Sequence, residues 1–166
     1  MVVIGIDPGV ARTGVAVVER AGPRLVAHRV GVVTTPAGTP QAERLALLHG
    51  ELSEIFAQHA VDHAAVERLF FNDNVRTAMA VGQASGIALL AAAQAGVEVT
   101  DYTPLEVKSS VVGVGNATKK QVQTMVKSLL SLERVPQPAD AADACALAIC
   151  HLHRSGYERA LRKAIG

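Results

Sequence analysis

MVVIGIDPGVARTGVAVVERAGPRLVAHRVGVVT, residues 1–34, holds three apolar runs separated by two turn signals. The first, residues 1–7, stops at Pro8-Gly9, the pattern of a short buried strand entering a turn. Residues 13–19 and 25–34 are rich in β-branched side chains and are divided by Ala21-Gly22-Pro23. They read as the second and third strands of an antiparallel meander.

Downstream, the punctuation changes. Residues 35–40 (TPAGTP) break the sheet. Leu45, Leu48, Leu52, Ile55 and Phe56 then follow the i, i+3, i+4, i+7 spacing of an amphipathic helix over residues 42–59. Residues 61–67 read as a strand ending on Glu67. Asn72-Asp73-Asn74 can cap a long helix that Gly96 closes. A fifth strand over 97–102 and a Pro104-led helix to about residue 112 follow. Thr118 caps a helix over 119–132, and a last helix runs from 139 to about 155. Three antiparallel strands followed by αβ alternation predict a mixed five-stranded sheet with helices on both faces. That is the outline of a ribonuclease-H-like α/β fold, although other α/β topologies with an antiparallel start share this order.

At 166 residues the chain suits one domain spanning 1–166, with no internal repeat or low-complexity linker. Apolar residues make up 49% and charged residues 19%, which excludes a disordered chain. Aromatics are only 3% and Trp is absent, so the core must be aliphatic. Cys145 and Cys150 are too few for a disulfide framework and read as small buried hydrophobes. Met1 opens directly into an apolar run with no basic stretch, and the uncharged residues 77–97 are too rich in Gly and Ala, and too polar at Gln83, Ser85 and Gln94, to favour a membrane. A soluble, cytoplasmic protein is expected. Net charge is +1, but it is unevenly spread. Residues 1–106 carry seven Lys/Arg against eleven Asp/Glu, a net of −4; residues 107–166 carry nine against four, a net of +5. A carboxylate pocket beside a phosphate-binding surface gives such a split, as does an ordinary solvated basic face.

Four acids stand at telling places. Asp7 and Glu67 end strands; Asp140 and Asp143 lie three apart near the start of the last helix, about 60° apart around its axis at ~100° per residue. Each alone has an ordinary reading: a turn former before Pro-Gly, a solvated strand end, a charge favoured by the helix dipole. Together they can meet at one point, where carboxylates would repel and shift one another's pKa unless cations neutralise them. Mg²⁺ and Mn²⁺ favour such all-oxygen sites. The D-x-G-x4-G pattern running from Asp7 to Gly14 is by itself a weak phosphate-loop signal.

GIDPG (5–9), AVERLFFNDN (65–74), GQASGIALLAAA (82–93), VKSSVVGVGNATKKQVQ (107–123) and ADAADACALAICH (139–151) resemble, in order and over nearly the whole chain, the RuvC family of Holliday-junction resolvases. The resemblance implies a homodimeric, metal-dependent endonuclease that nicks four-way DNA junctions symmetrically in recombination and repair and cooperates with the RuvA and RuvB branch-migration proteins. It implies a metal-binding, catalytic tetrad of Asp7, Glu67, Asp140 and Asp143. Two Mg²⁺ ions, with Mn²⁺ as a substitute, would activate water and stabilise the departing 3′-oxygen, leaving 5′-phosphate and 3′-hydroxyl ends. Phe70 matches the aromatic that stacks on unpaired bases. Lys108 matches one DNA-binding, site-proximal lysine, and Lys119 or its neighbour Lys120 matches the second, catalytic one.

The glycine-bearing stripe Gly82, Ser85, Gly86 and Ala93 is expected to serve a two-fold dimer interface, the ordinary alternative being packing on the chain's own sheet. Of the six histidines, His49, His59, His151 and His153 show no pairing with the metal-site acids and are expected to be surface or core residues. Competing readings are an ATP-binding phosphotransferase, for which 166 residues leave no room for a duplicated domain, a related short ribonuclease-H-like nuclease, and a non-catalytic junction-binding protein.

Overall fold

The structure is a computed structural model and describes residues 1–68 and 75–165. Strands β1 (Val2–Asp7), β2 (Arg12–Ala21) and β3 (Arg24–Thr34) form the meander; α1 (Gln41–Gln58), β4 (His63–Glu67), α2 (Val75–Gln94) and β5 (Glu98–Tyr102) follow, then α3 (Pro104–Val112), α4 (Lys119–Leu129) and α5 (Ala139–Ile165). The sheet order is β3-β2-β1-β4-β5, antiparallel through β1 and parallel from β1 to β5. This is the expected ribonuclease-H-like α/β arrangement.

Strand side chains alternate between faces; β1, β2 and β4 keep that period, and β3 shifts it by one residue at His28. Ile4, Ile6, Val15, Val17, Ala64 and Val66 point to one side, where they pack with Leu48, Leu52, Ile55 and Phe56 of α1 and Ala84, Ala88, Ala91 and Ala92 of α2. Val3, Ala16, Val18 and Ala65 point to the other, against α3, α4 and α5. From Ala144 to Leu152 every residue of α5 is buried, as befits a helix apolar all round. Both cysteines are free and buried there, with burial pushing the Cys145 thiol up to about 12. Among the described residues no helix is long and apolar enough to cross a membrane.

Three details differ from the sequence expectation. Helix α4 stops at Leu129, because Leu130 leaves helical geometry and Ser131 turns at φ 51°. Helix α5 runs ten residues beyond 155, through Gly156, because the following YERALRKAI contains strong helix formers and no proline. Ser85 is only 8% exposed, buried like the neighbouring Ala84 and Ala88 of α2, and so leaves the outer stripe assigned to it.

The closest backbone approach lies where α5 crosses β1 and β2. A Cβ on Gly5 would stand 2.0 Å from the Ala144 carbonyl oxygen, and one on Gly14 would stand 2.0 Å from the Asp140 carbonyl oxygen. Neither neighbour is a flexible side chain tip, so the helix itself would have to move. Gly5→Ala is expected to cost about 1–3 kcal/mol or more in urea unfolding. Gly50→Ala, at an exposed position in the middle of α1 with open space around its Cβ, should instead gain about 0.5–1 kcal/mol.

Candidate active site

Register brings the strand acids together. Ile6 of β1 faces Val66 of β4 in a parallel pair, so the next residues, Asp7 and Glu67, end neighbouring strands side by side. Both follow an α5-facing residue by two positions, Gly5 and Ala65, and therefore share that face. Beyond Asp7 the chain is tied down at once: Thr13 Oγ1 donates to the Gly9 carbonyl at 2.7 Å and accepts from the Gly9 amide at 3.3 Å. Thr13 is itself buried. The first turn of α5 lies directly over this loop, with the Asp140 carbonyl against Gly14 and the Asp7 Cβ close by.

Asp7, Glu67, Asp143, Lys108 and Lys119 line one pocket of about 220 Å³, whose remaining wall is apolar, from Val107, Val122 and Leu147 among others. Lys119 opens α4 directly after a capping box in which Thr118 and Gln121 satisfy each other's backbone amides. Its Nζ donates to Asp143 Oδ2 at 2.7 Å. Lys120 is exposed and does not line the pocket. Lys108 arrives on α3, fixed by the Thr103–Glu106 capping box and by Arg154 of α5, whose Nη1 donates to Glu106 Oε1 at 2.7 Å. Asp140 stands outside the pocket wall and accepts a 3.3 Å bond from Arg12 Nη1. Phe70 and Phe71, like the Asn72-Asp73-Asn74 cap, lie outside the described residues.

The carboxylates perturb one another. Burial is the largest cause that lifts Asp7 to about 7; the charges of Glu67, Asp143 and Asp140 add to it, and Lys119 opposes them. Burial and the Asp143 charge raise Glu67 as well. Lys119 is raised in turn, first by its bond to Asp143. The donor set is all oxygen and short of positive charge, which suits a hard divalent cation. Among the described residues no three acidic, histidine or cysteine side chains close into a ready metal cage. Asp140 and Asp143 are instead engaged by Arg12 and Lys119. The convergence is thus a shared pocket with one acid at its rim.

Arg12 was not singled out by sequence reasoning. The signal available was a basic residue opening β2, two positions before the Gly14 that pairs with Asp7. His49, His59, His151 and His153 do not line the pocket. His151 is buried, with Nδ1 2.9 Å from Tyr102 Oη and its ring stacked on His63 at 4.1 Å.

A ribonuclease-H-like sheet with carboxylates at two adjacent strand ends, opposed by acids on a crossing helix, defines a nuclease of that fold class. Residues 3–151 match the family described as Crossover junction endodeoxyribonuclease RuvC. The chain belongs to that family. A Pelotomaculum thermopropionicum protein named Crossover junction endodeoxyribonuclease RuvC is 53% identical, over 98% of this chain and 99% of its own length. The Thermus thermophilus RuvC structure superposes with a TM-score of 0.88 at 37% identity, covering 95% of this chain and 97% of that one. A structure described as T. thermophilus RuvC in complex with Holliday junction substrate gives 0.87 at 34% identity, covering 95% and 96%.

Because Asp7 has a folded pKa of about 7 against 3.8 unfolded, it carries no penalty below pH 4, where both states are protonated. Between pH 4 and 7 the unfolded chain releases this proton first, so stability falls as pH rises and the full penalty stands above 7. In chelator, Asp7→Asn should therefore match the parent near pH 4 and exceed it at pH 8 by on the order of 1–4 kcal/mol. Urea melts across pH measure this, and a constant difference between the two proteins contradicts it.

Proposed function

We propose that this nuclease resolves four-way Holliday junctions in recombination and repair by paired symmetric nicks, in the cytoplasm, as a homodimer cooperating with RuvA and RuvB. The observation that carries the reading is the pairing of Asp7 and Glu67 at adjacent strand ends, in one pocket with Asp143 and Lys119. The T. thermophilus RuvC complex with junction DNA, 34% identical over nearly the same length, supports the substrate class.

In this reading Asp7, Glu67, Asp140 and Asp143 hold two Mg²⁺ ions, for which Mn²⁺ can substitute. When bound, the ions supply an activated water and stabilise the departing 3′-oxygen, so that the ends are 5′-phosphate and 3′-hydroxyl. The chain's own part is to orient and to neutralise. The apolar wall formed by Val107, Val122 and Leu147 belongs to the burial that desolvates the deeper carboxylates, Asp7 and Glu67, and strengthens the charge interactions made there. Lys119 supplies positive charge to the scissile phosphate, and its bond to Asp143 favours it over Lys120 for that role. Lys108, which lines the same pocket from α3, anchors the strand. Phe70 stacks on bases unpaired at the junction centre.

For dimerisation, the outer stripe of α2 supplies an apolar face. Met79, Leu89 and Leu90 are 61%, 41% and 47% exposed, and Gly86 between them has open space around its Cβ. Two active sites related by a two-fold axis match the near-two-fold symmetry of a junction.

Glu67→Gln should bind an immobile junction with near-parental affinity and cut it slower by more than the ~100-fold typical of losing a group that merely supports a ligand. Lys119→Ala should lose about 10²–10³-fold in cleavage, and Lys120→Ala only a few-fold. Rapid cutting by Glu67→Gln removes that residue from the mechanism, and equal cutting of linear duplex removes the junction selectivity. Leu90→Glu should shift sedimentation toward the monomer while leaving thermal unfolding of the fold intact; an unchanged sedimentation coefficient rejects the α2 interface.

A further inference from the structure

A groove of about 600 Å³ runs between the start of β3 and the end of α4, at the Met1 end of β1. It lies roughly 17 Å along β1 from Asp7, at ~3.3 Å per residue. Its floor and walls are apolar: Leu25, Ala27, Leu129 and Leu132 pack only partly against the α5-side core, and Val26 at the rim is 40% exposed. Its charged and titratable lining is Arg20, Arg24 and His153, with no carboxylate. Among the described residues neither arginine has an acid within salt-bridge reach. Arg20 spends one Nη2 hydrogen on the Leu152 carbonyl, at 2.9 Å, which fixes its head at the groove without neutralising it.

The groove also borders an open sheet edge. β3 is the outer strand of the sheet and runs for 11 residues, with no proline and no acid. Edge strands of that length usually carry protection against pairing with another chain, and β3 carries a bulge at His28; it falls just past Leu25–Ala27, so the stretch that lines the groove keeps a regular register. The other edge, β5, has only five residues, of which two, Glu98 and Asp101, are acidic. The two edges therefore differ in length and in sign of charge.

We infer that this groove docks an acidic, apolar segment of a partner protein, added as an extra strand along β3. Main-chain bonds to the free edge would give affinity, alternate apolar side chains would enter between Leu25 and Leu129, and carboxylates would meet Arg20 and Arg24. Duplex DNA is the weaker match, because a phosphate backbone gains nothing from the leucine floor. Docking here leaves the Asp7 pocket open, so a partner can hold the nuclease while it engages its substrate.

The test uses the isotope-labelled full chain and two short synthetic peptides, one alternating acidic residues with leucine and one with lysine in place of each acid. Amide shifts on adding the acidic peptide should be confined to β3 and to residues 128–132. Arg24→Glu should weaken that binding about tenfold or more, while junction cleavage stays at the parental rate. The proposal is overturned if the acidic peptide binds no better than the lysine peptide, or if Arg24→Glu leaves binding unchanged. It is equally overturned if duplex DNA displaces the peptide and Arg24→Glu lowers junction affinity in parallel, since the groove is then a nucleic-acid surface.

Discussion

The site depends on how closely the backbone of α5 can lie on the sheet. Gly5 and Gly14, on neighbouring antiparallel strands, present no side chain to the helix, and the carbonyls of Ala144 and Asp140 occupy the space that Cβ atoms would take. An extra carbon at either position cannot be absorbed by a rotamer change, because the obstacle is main chain. Once the helix is seated, the three-residue spacing of Asp140 and Asp143 leaves their positions relative to Asp7 little freedom. Ala141, Ala144 and Ala148, on the side of the helix that meets Gly5 and Gly14, serve the same end, since larger side chains there would hold the helix away.

This explains why the fold was legible and the site nearly so. The alternation of the first three strands, the helical period of Leu45 to Phe56 and the Pro and Gly punctuation are local signals, and each survived folding. That Asp7 and Glu67 would be neighbours followed from the topology, because strand ends in a parallel pair are adjacent. The distant end of α5 was not legible, since Gly156 is a stop signal that only strong helix formers on its far side override. Arg12 was hidden for a different reason. Its partner Asp140 is 128 residues away, and no local pattern specifies that pairing. Ser85 was misplaced because a small polar residue fits either face of a helix, and its burial is decided by how α2 packs on the rest of the chain.

The choice between Lys119 and Lys120 shows the same division. Adjacent residues at the start of a helix point about 100° apart, so only one can face the acids. Sequence supplies two lysines, and the direction from which α4 enters decides between them. The capping box of Thr118 and Gln121 fixes the first turn and, with it, the Lys119 side chain that reaches Asp143. The Thr103–Glu106 box does the equivalent for α3 and Lys108, with Arg154 clamping Glu106 from α5. Two short helices that isolated propensity would leave marginal are thus held at their N-termini.

The charge arrangement is costly to the folded chain. A carboxyl lifted to about 7 at Asp7 implies an ionisation penalty on the order of a few kcal/mol, against a typical total stability of ~5–15 kcal/mol. Arg12 and Lys119 pair directly with the two helix acids, and Lys119 offsets only part of the upward shift at Asp7 and Glu67; both cations are solvent-accessible, so their attraction is screened. The two strand acids are deeper and, among the described residues, have no salt bridge of their own, so they keep the strain. A fold selected for stability alone would place Asn or Ser at these strand ends. Retaining carboxylates there, over an aliphatic core rigid enough to hold them together, makes sense for a site whose charge is completed from outside. The same logic separates it from the β3 groove, where the uncompensated charge is positive and lies on leucine instead of beside carboxylate. One end of the sheet is short of cations and the other of anions, so the two ends select different partners and do not compete for one.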